Sequence, residues 1–223
     1  MKRSKKRAVP RWKKLLVAAI AAGTIGGGAL ATTNINYFRG EKVISVYDGD
    51  TFQIENKQLV RLLGVYAPEL GNCMASDAKN ALSSLILGKR VQVREPLVDK
   101  RYGRVIALVY QNGILINNVM LRAGLGVYKN ARSSQQEVLY KSDMYARSNN
   151  IGIFGPTCTR PEPPNHSCTI KGNVNTTTNQ KEYYLPSCGY YGKVLIYKFE
   201  GDDWFCTEAE AREAGFTKSD TCE

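Results

Sequence analysis

From Val43 the chain runs in short hydrophobic bursts: VISVY, then Asp48-Gly-Asp50, then TFQI, then QLVRLLGV, each rich in β-branched or aromatic residues and bounded by Gly, Asp or Asn. That punctuation predicts three consecutive strands. Met74, Ala78, Ala81, Leu82, Leu85 and Ile86 then recur with the period of a helix and stop at Gly88, a natural C-cap. Lys89 to Arg94 and Arg104 to Tyr110 read as strands, with Ile114 to Ile116 a further short one after the Gln111-Asn112-Gly113 turn. Asn117 to Ala123 reads as a short helix ended by Gly124, and Ser134-x-x-Glu137 as a capping box opening a last helix that reaches about Ser148. Three strands, a helix, further strands and trailing helices is the order of a β-barrel with helices: an α+β, five-stranded Greek-key barrel of the OB kind.

The pattern breaks at Gly155-Pro156-Thr-Cys-Thr-Arg-Pro161-Glu-Pro163-Pro164, where three prolines fall within four residues and stiffen the chain. The expected organisation is a barrel domain over residues 37–157, a Pro-rich linker over 158–166 and a small α+β module over 167–223. In that module Glu182 to Leu185 and Val194 to Tyr197 look like strands, and Thr207-x-x-Glu210 is a capping box opening the helix EAEAREAG. Trp204, Phe205, Tyr190 and Tyr191 are the natural candidates for its core. A module this short buries little apolar surface, and disulfides would compensate.

Charge alters this picture by where it lies. The 223 residues carry 31 Lys and Arg against 20 Asp and Glu, a formal +11. Eight of those cations precede Leu15, and no acidic residue comes before Glu41. Residues 37–157 carry a net +6 and residues 158–223 a net −3. Positive charge on the barrel suits a polyanionic partner, whereas the acidic module is a poor nonspecific clamp for nucleic acid.

The basic arm is followed by LLVAAIAAGTIGGGALA, residues 15–31, an apolar small-residue run ending in Ala-Leu-Ala. These are the parts of a secretory signal peptide over residues 1–31, so the chain is expected to be secreted, periplasmic or at the cell envelope. The alternative is retention of the segment as an N-terminal membrane anchor, although its glycines make it a poor spanning helix. All six cysteines (Cys73, Cys158, Cys168, Cys188, Cys206, Cys222) follow this segment, and an even number in an exported chain points to disulfides. Cys73 is expected to pair with Cys158, leaving the other four to pair within the C-terminal module. No CxxC spacing occurs, which sets a zinc knuckle behind disulfides.

The single histidine, His166, leaves little room for His-based zinc or iron sites or His-paired dyads. Chemistry must rest on carboxylates, arginines and metal. Three clusters offer it: Asp48-Gly-Asp50-Thr51, Arg61-Leu-Leu-Gly-Val-Tyr66-Ala67-Pro68-Glu69, and Asp99-Lys-Arg101-Tyr102-Gly103-Arg104. Asp-Gly alone is a hairpin turn before it is anything else. Arg61, set among Leu59, Val60, Leu62 and Leu63, is more telling: it must reach solvent, pair with a carboxylate or face a site.

The order DGDTF, VRLLGVYAPE, a helix, GKRVQV, DKRYGRVIALVY, NG and LRAGLGVY resembles the staphylococcal nuclease (thermonuclease) family over about residues 41–155. The resemblance implies a monomeric OB-fold endonuclease that hydrolyses phosphodiester bonds of DNA and RNA with one Ca2+ ion and leaves 3′-phosphate ends. It implies that Asp50 and the carbonyl of Ala67 are calcium ligands, that Glu69 orients or deprotonates the attacking water, and that Arg61 and Arg104 bind the scissile phosphate. Tyr102, Arg101 and Tyr128 are candidates for positioning a neighbouring base or phosphate. One departure stands out: the family usually has a second calcium carboxylate where this chain has Tyr66. A phenol is a poor calcium ligand, which weakens the expected site unless Asp48 substitutes. Tyr66 is also the support for a rival reading, a catalytically impaired barrel that binds nucleic acid or protein at the cell envelope. The C-terminal CTIKGN, Tyr183-Tyr184-Leu-Pro and Trp204-Phe205-Cys206 pattern resembles a small accessory domain often appended to bacterial thermonuclease-like proteins.

Overall fold

A computed structural model describes residues 40–129, 131–159, 162–163 and 165–222. The expected export segment, residues 1–31, lies outside the described residues. Two compact units result, one running to Ala67 and resuming over Ser76–Gly152, the other made of Pro68–Ala75 and the chain from Ile153 onward.

The first unit is built in the order β1 (Glu41–Val46), β2 (Thr51–Ile54), β3 (Leu59–Leu62), β4 (Val65–Tyr66), α1 (Ala75–Ile86), β5 (Arg90–Asp99), β6 (Arg104–Gln111), β7 (Ile114–Leu115), α2 (Ile116–Arg122), β8 (Val127–Tyr128) and α3 (Gln136–Ser148). β1, β2 and β3 form an antiparallel meander. β5 pairs antiparallel with both β1 and β6, and a parallel pairing of β6 with β3 closes five strands into a barrel. Closure removes the exposed edges that an open sheet would present. Val43, Phe52, Val60, Leu62, Val91 and Val109 point into the barrel and are fully or almost fully buried. Burial of each such side chain is worth about 1.5–3 kcal/mol. Asn117 on α2 is also fully buried. Its side chain accepts from Val109 N at 2.9 Å and donates to the carbonyls of Leu63 at 2.9 Å and Ala107 at 3.1 Å, clamping the helix to β6 and the end of β3.

Three sequence expectations change. The apolar run from Gln58 to Val65 is not one strand: it turns at Gly64, whose φ of +73° an L side chain rarely adopts, and resumes as β4 paired with β8. β5 does not stop at Arg94 but continues to Asp99 through a bulge between Arg94 and Leu97, where Pro96 has no N–H to give the ladder. The capping box at Ser134 does not form. Gln135 is the N-cap of α3 without a side-chain bond, while the Ser134 hydroxyl and N–H both donate to the Glu95 carboxylate that the bulge presents.

In the second unit, β9 (Ile170–Val174), β10 (Lys181–Tyr184), β11 (Asp203–Phe205) and β12 (Thr217–Lys218) form a sheet in the order β11-β9-β10-β12, with α4 (Glu208–Glu213) between the last two strands in sequence. Thr207 caps α4 as expected, accepting from Glu210 N at 3.2 Å, and the Glu210 carboxylate accepts from Cys206 N at 2.9 Å. Disulfides join Cys73 to Cys158, Cys168 to Cys206 and Cys188 to Cys222.

The core is the expected one in part. Trp204 is buried, and Phe205 packs against a cluster of Ile170, Tyr183, Ala211 and Phe216, whereas Tyr190 is 53% exposed and Tyr191 is only partly buried. Val194 to Tyr197 is not a strand either, because side chains take the backbone groups that a ladder would use. The largely buried Lys171 ammonium donates to the carbonyls of Tyr191 and Val194 at 2.9 and 2.8 Å, and the buried Asp202 carboxylate accepts from Tyr197 N at 3.0 Å and Val174 N at 2.7 Å. Burial pushes Asp202 up to about 6.

Candidate functional site

The Asp48-Gly-Asp50-Thr51 turn between β1 and β2 is a structural turn and a site element at once. Asp48 Oδ1 accepts from the N–H groups of Asp50 and Thr51 at 2.9 and 2.7 Å, an Asx-type turn that points the Asp50 side chain inward. Gly49 is required by close approach: a Cβ there would lie 2.5 Å from the Ala78 Cβ on α1 and 2.6 Å from that of Ala67. Asp50 is 2% exposed. Its Oδ1 accepts from the Thr51 hydroxyl at 2.7 Å, while its Oδ2 accepts from Ala67 N at 3.0 Å and pairs with Arg61 at 2.7 Å. Burial pushes the Asp50 carboxyl up to about 7; the Arg61 guanidinium pulls it back and the neighbouring Asp48 carboxylate adds to the rise.

The cation inside the apolar β3 therefore finds a carboxylate. β3 and β6 place a second guanidinium beside it: Leu59 is opposite Arg104 and Arg61 opposite Ile106, so Arg61 and Arg104 project from one face, one pleat apart. Arg104 is held by its own hairpin partner, with its Nε donating to Asp99 at 2.9 Å. Arg104 and Arg101 both stack on Tyr102, at 4.6 and 5.2 Å from the ring centre. Tyr102 is 56% exposed.

Tyr66 is 43% exposed on β4. Its ring lies 4.8 Å from the Arg61 guanidinium carbon and 4.3 Å from the Lys129 ammonium. Lys129 escaped the sequence reading; its one signal was a cation directly after the Val127-Tyr128 pair. Tyr128 is more firmly built in than a surface stacking residue. Its N–H donates to Asp143 at 2.9 Å, its hydroxyl accepts from Ala131 N at 3.3 Å, and its ring meets Tyr140 edge-on at 6.3 Å. Glu69 is exposed and lies on the Pro68–Ala75 segment, within the second unit.

Oxygen dominates the possible metal donors: the Asp50 and Asp48 carboxylates and the Ala67 carbonyl. Two carboxylates in one turn are donors of the kind a hard divalent cation such as calcium takes, but in this arrangement Asp50 holds Thr51, Ala67 N and Arg61, and Asp48 Oδ1 holds two backbone N–H groups. The set is small. Among the described residues no group of three or more His, Cys, Asp or Glu gathers to hold a metal, so an ion here would complete its shell with water and phosphate oxygens.

The model of the staphylococcal nuclease homologue family matches residues 59–155. A micrococcal nuclease of Shigella flexneri is 34% identical over 130 residues, which are 52% of this chain and 74% of that one. An uncharacterised endonuclease of Escherichia coli is 34% identical over 128 residues, 55% of this chain and 80% of its own length. A probable staphylococcal-like nuclease of Oryza sativa subsp. japonica is 30% identical over 126 residues, 56% of this chain but 34% of that protein.

Proposed function

The chain belongs to the staphylococcal nuclease family, and from that premise we propose that it is an exported, calcium-dependent nuclease hydrolysing phosphodiester bonds of DNA and RNA to 3′-phosphate ends. The observation that carries this reading is the pair of guanidinium groups, Arg61 and Arg104, on one face of β3 and β6, the first of them paired with the buried Asp50. Planar, permanently charged donors suit the equatorial oxygens of a phosphoryl transition state better than a point charge does. Arg61 and Arg104 bind the scissile phosphate and hold the charge that builds on it. Glu69 orients the attacking water and accepts its proton, the water oxygen bonds to phosphorus as the P–O5′ bond breaks, and the leaving 5′ oxygen takes a proton from solvent water.

Asp50, Asp48 and the Ala67 carbonyl would hold calcium, which when bound polarises the phosphate and lowers the pKa of water. Tyr66 leaves that ion one carboxylate short of the family pattern, so its binding is weak. Tyr102 and Arg101 receive a base or phosphate next to the cleaved bond, while Tyr128 is held by Asp143 and Tyr140 and supports β4 by pairing with Val65. Three disulfides support export to an oxidising compartment. Among the described residues no helix is long and apolar enough to cross a membrane.

The test is hydrolysis of single-stranded DNA and of RNA by the purified protein, with calcium titrated against chelator, beside Glu69→Ala. Cleavage that requires both calcium and Glu69 is expected. Its absence on both substrates would overturn the reading in favour of a binding barrel.

A further inference from the structure

Glu69 does not belong to the barrel unit. It lies on Pro68–Ala75, which packs as part of the second unit. Its ends, Pro68 and Ala75, are buried, but between them Glu69 is exposed, Leu70 is 63% exposed, and Gly71 and Met74 both take positive φ, at +97° and +63°. Such a stretch is ordered by what holds it.

Among the described residues, three contacts tie its middle to the C-terminal part of the second unit. Cys73 is bonded to Cys158. The Cys73 N–H donates to the Lys198 carbonyl at 3.2 Å. The Asn72 side-chain amide donates to the Phe199 carbonyl at 3.4 Å. Asn72 N–H in turn donates to the Glu69 carbonyl at 3.0 Å, so the grip on Asn72 and Cys73 extends to Glu69 through a closed turn. The gripping residues are themselves fixed. Lys198 N donates to the Cys158 carbonyl at 2.9 Å, Thr159 bridges Tyr197, and the buried Phe199 ring meets Phe154 edge-on at 6.0 Å.

We propose that the C-terminal module is a positioning element for Glu69, acting through the Cys73–Cys158 disulfide and through Asn72 and Cys73 held on the carbonyls of Phe199 and Lys198. The inference rests on the reading of Glu69 as the group that acts on the attacking water. A general base works only within hydrogen-bond reach of the proton it takes, and a displacement of about 1 Å costs on the order of 10² in rate. Glu69 is exposed between the buried Pro68 and the turn closed by Asn72, so its reach depends on how that turn is held. The module meets this need without touching substrate, consistent with its net negative charge.

Two variants of the full chain test the proposal: Cys73→Ser with Cys158→Ser, and Asn72→Ala, which leaves every disulfide in place. The double variant is expected to lower kcat by about 10- to 100-fold and Asn72→Ala by a few fold. KM, and affinity for single-stranded oligothymidylate in chelator, stay at the wild-type value because Arg61 and Arg104 are untouched. In a Glu69→Gln background neither change lowers kcat further, since residues acting through one group are not additive. If the double serine variant does not fold, Asn72→Ala alone decides. A wild-type protein without Glu69-dependent cleavage removes the underlying reading. Glu69-dependent cleavage that both folded variants retain in full, or a loss that simply adds to that of Glu69→Gln, overturns the proposal while leaving Glu69 as the base.

Discussion

Arg61→Ala separates the work Arg61 does in the fold from its work on substrate. Its side chain is 13% exposed and that of Asp50 is 3% exposed, with 2.7 Å between Nη2 and Oδ2. Removing one partner of a pair this buried costs about 3–5 kcal/mol when the other is left charged. Asp50 has a way out, because its carboxyl already sits at about 7 in the folded protein against about 3.9 in an unfolded chain. A raised carboxyl contributes stability that is present below the unfolded value and is lost as pH rises to the folded value. In the wild type that loss ends near pH 7. Arg61 is the strongest of the influences that lower this pKa, ahead of Thr51 and Ala67 N, so Arg61→Ala raises it further and the loss continues above pH 7 at about 1.4 kcal/mol per pH unit.

At pH 5.5, with Asp50 protonated in both proteins, the substitution costs only a hydrogen bond, about 1 kcal/mol. At pH 8.5, about 1.5 units past the wild-type value, the cost reaches about 3 kcal/mol, matching the lower end for a broken buried pair. Urea unfolding in chelator, followed by far-UV circular dichroism at the two pH values, measures the difference. Asp50→Asn in the same background removes the titrating group and should flatten it. An Arg61→Ala cost that is equal at pH 5.5 and 8.5, or one that Asp50→Asn leaves unchanged, refutes the argument.

Other expectations follow from single contacts. Tyr66→Asp puts a carboxylate where the phenol stands and should lower the calcium concentration for half-maximal cleavage by roughly tenfold, the order expected for one added charge in partly solvated surroundings; an unchanged requirement in a calcium titration counts against Tyr66 as the cause of weak binding. Arg104→Lys keeps the charge but loses the planar fork held by Asp99 and stacked on Tyr102, and should reduce kcat on the order of 10² with a stable fold by thermal melt. Asn117→Ala strips three hydrogen bonds from a fully buried site and should destabilise the barrel by about 3 kcal/mol in urea; a loss below 1 kcal/mol would mean that water replaces the amide.

The barrel was legible because its signals are local. Strand period, the Asp-Gly turn and the helix ending before Gly88 each depend on a few adjacent residues, and all agree with the closed five-stranded form. Arg61 could be flagged by its apolar neighbours, which demanded a partner. What remained hidden depended on distant residues. No local pattern shows that Glu95, raised on a bulge, takes Ser134 away from α3, or that Lys129 lies over the Tyr66 ring. Asp99 was visible in the motif, but its bond to Arg104 appears only with the hairpin register.

The C-terminal module shows the same limit more sharply. Hydrophobicity was right about Trp204 and Phe205, yet Tyr190 lies at the surface and Tyr191 only partly inside, while Tyr183 is buried. Tyr191 instead lends its carbonyl and its ring to Lys171, whose Nζ lies 4.2 Å from the ring centre. Val194 to Tyr197 has a strand's residue types, but Lys171 and Asp202 occupy its backbone groups and hold it as an irregular connection. Just beyond that connection lie Lys198 and Phe199, whose carbonyls hold Cys73 and Asn72. Two buried ionisable side chains are a costly way to shape a loop in so small a unit, since each must be desolvated and then fully hydrogen-bonded. The cost is understandable if the loop's shape matters, and here it fixes the stretch leading into the residues that grip the Glu69 segment.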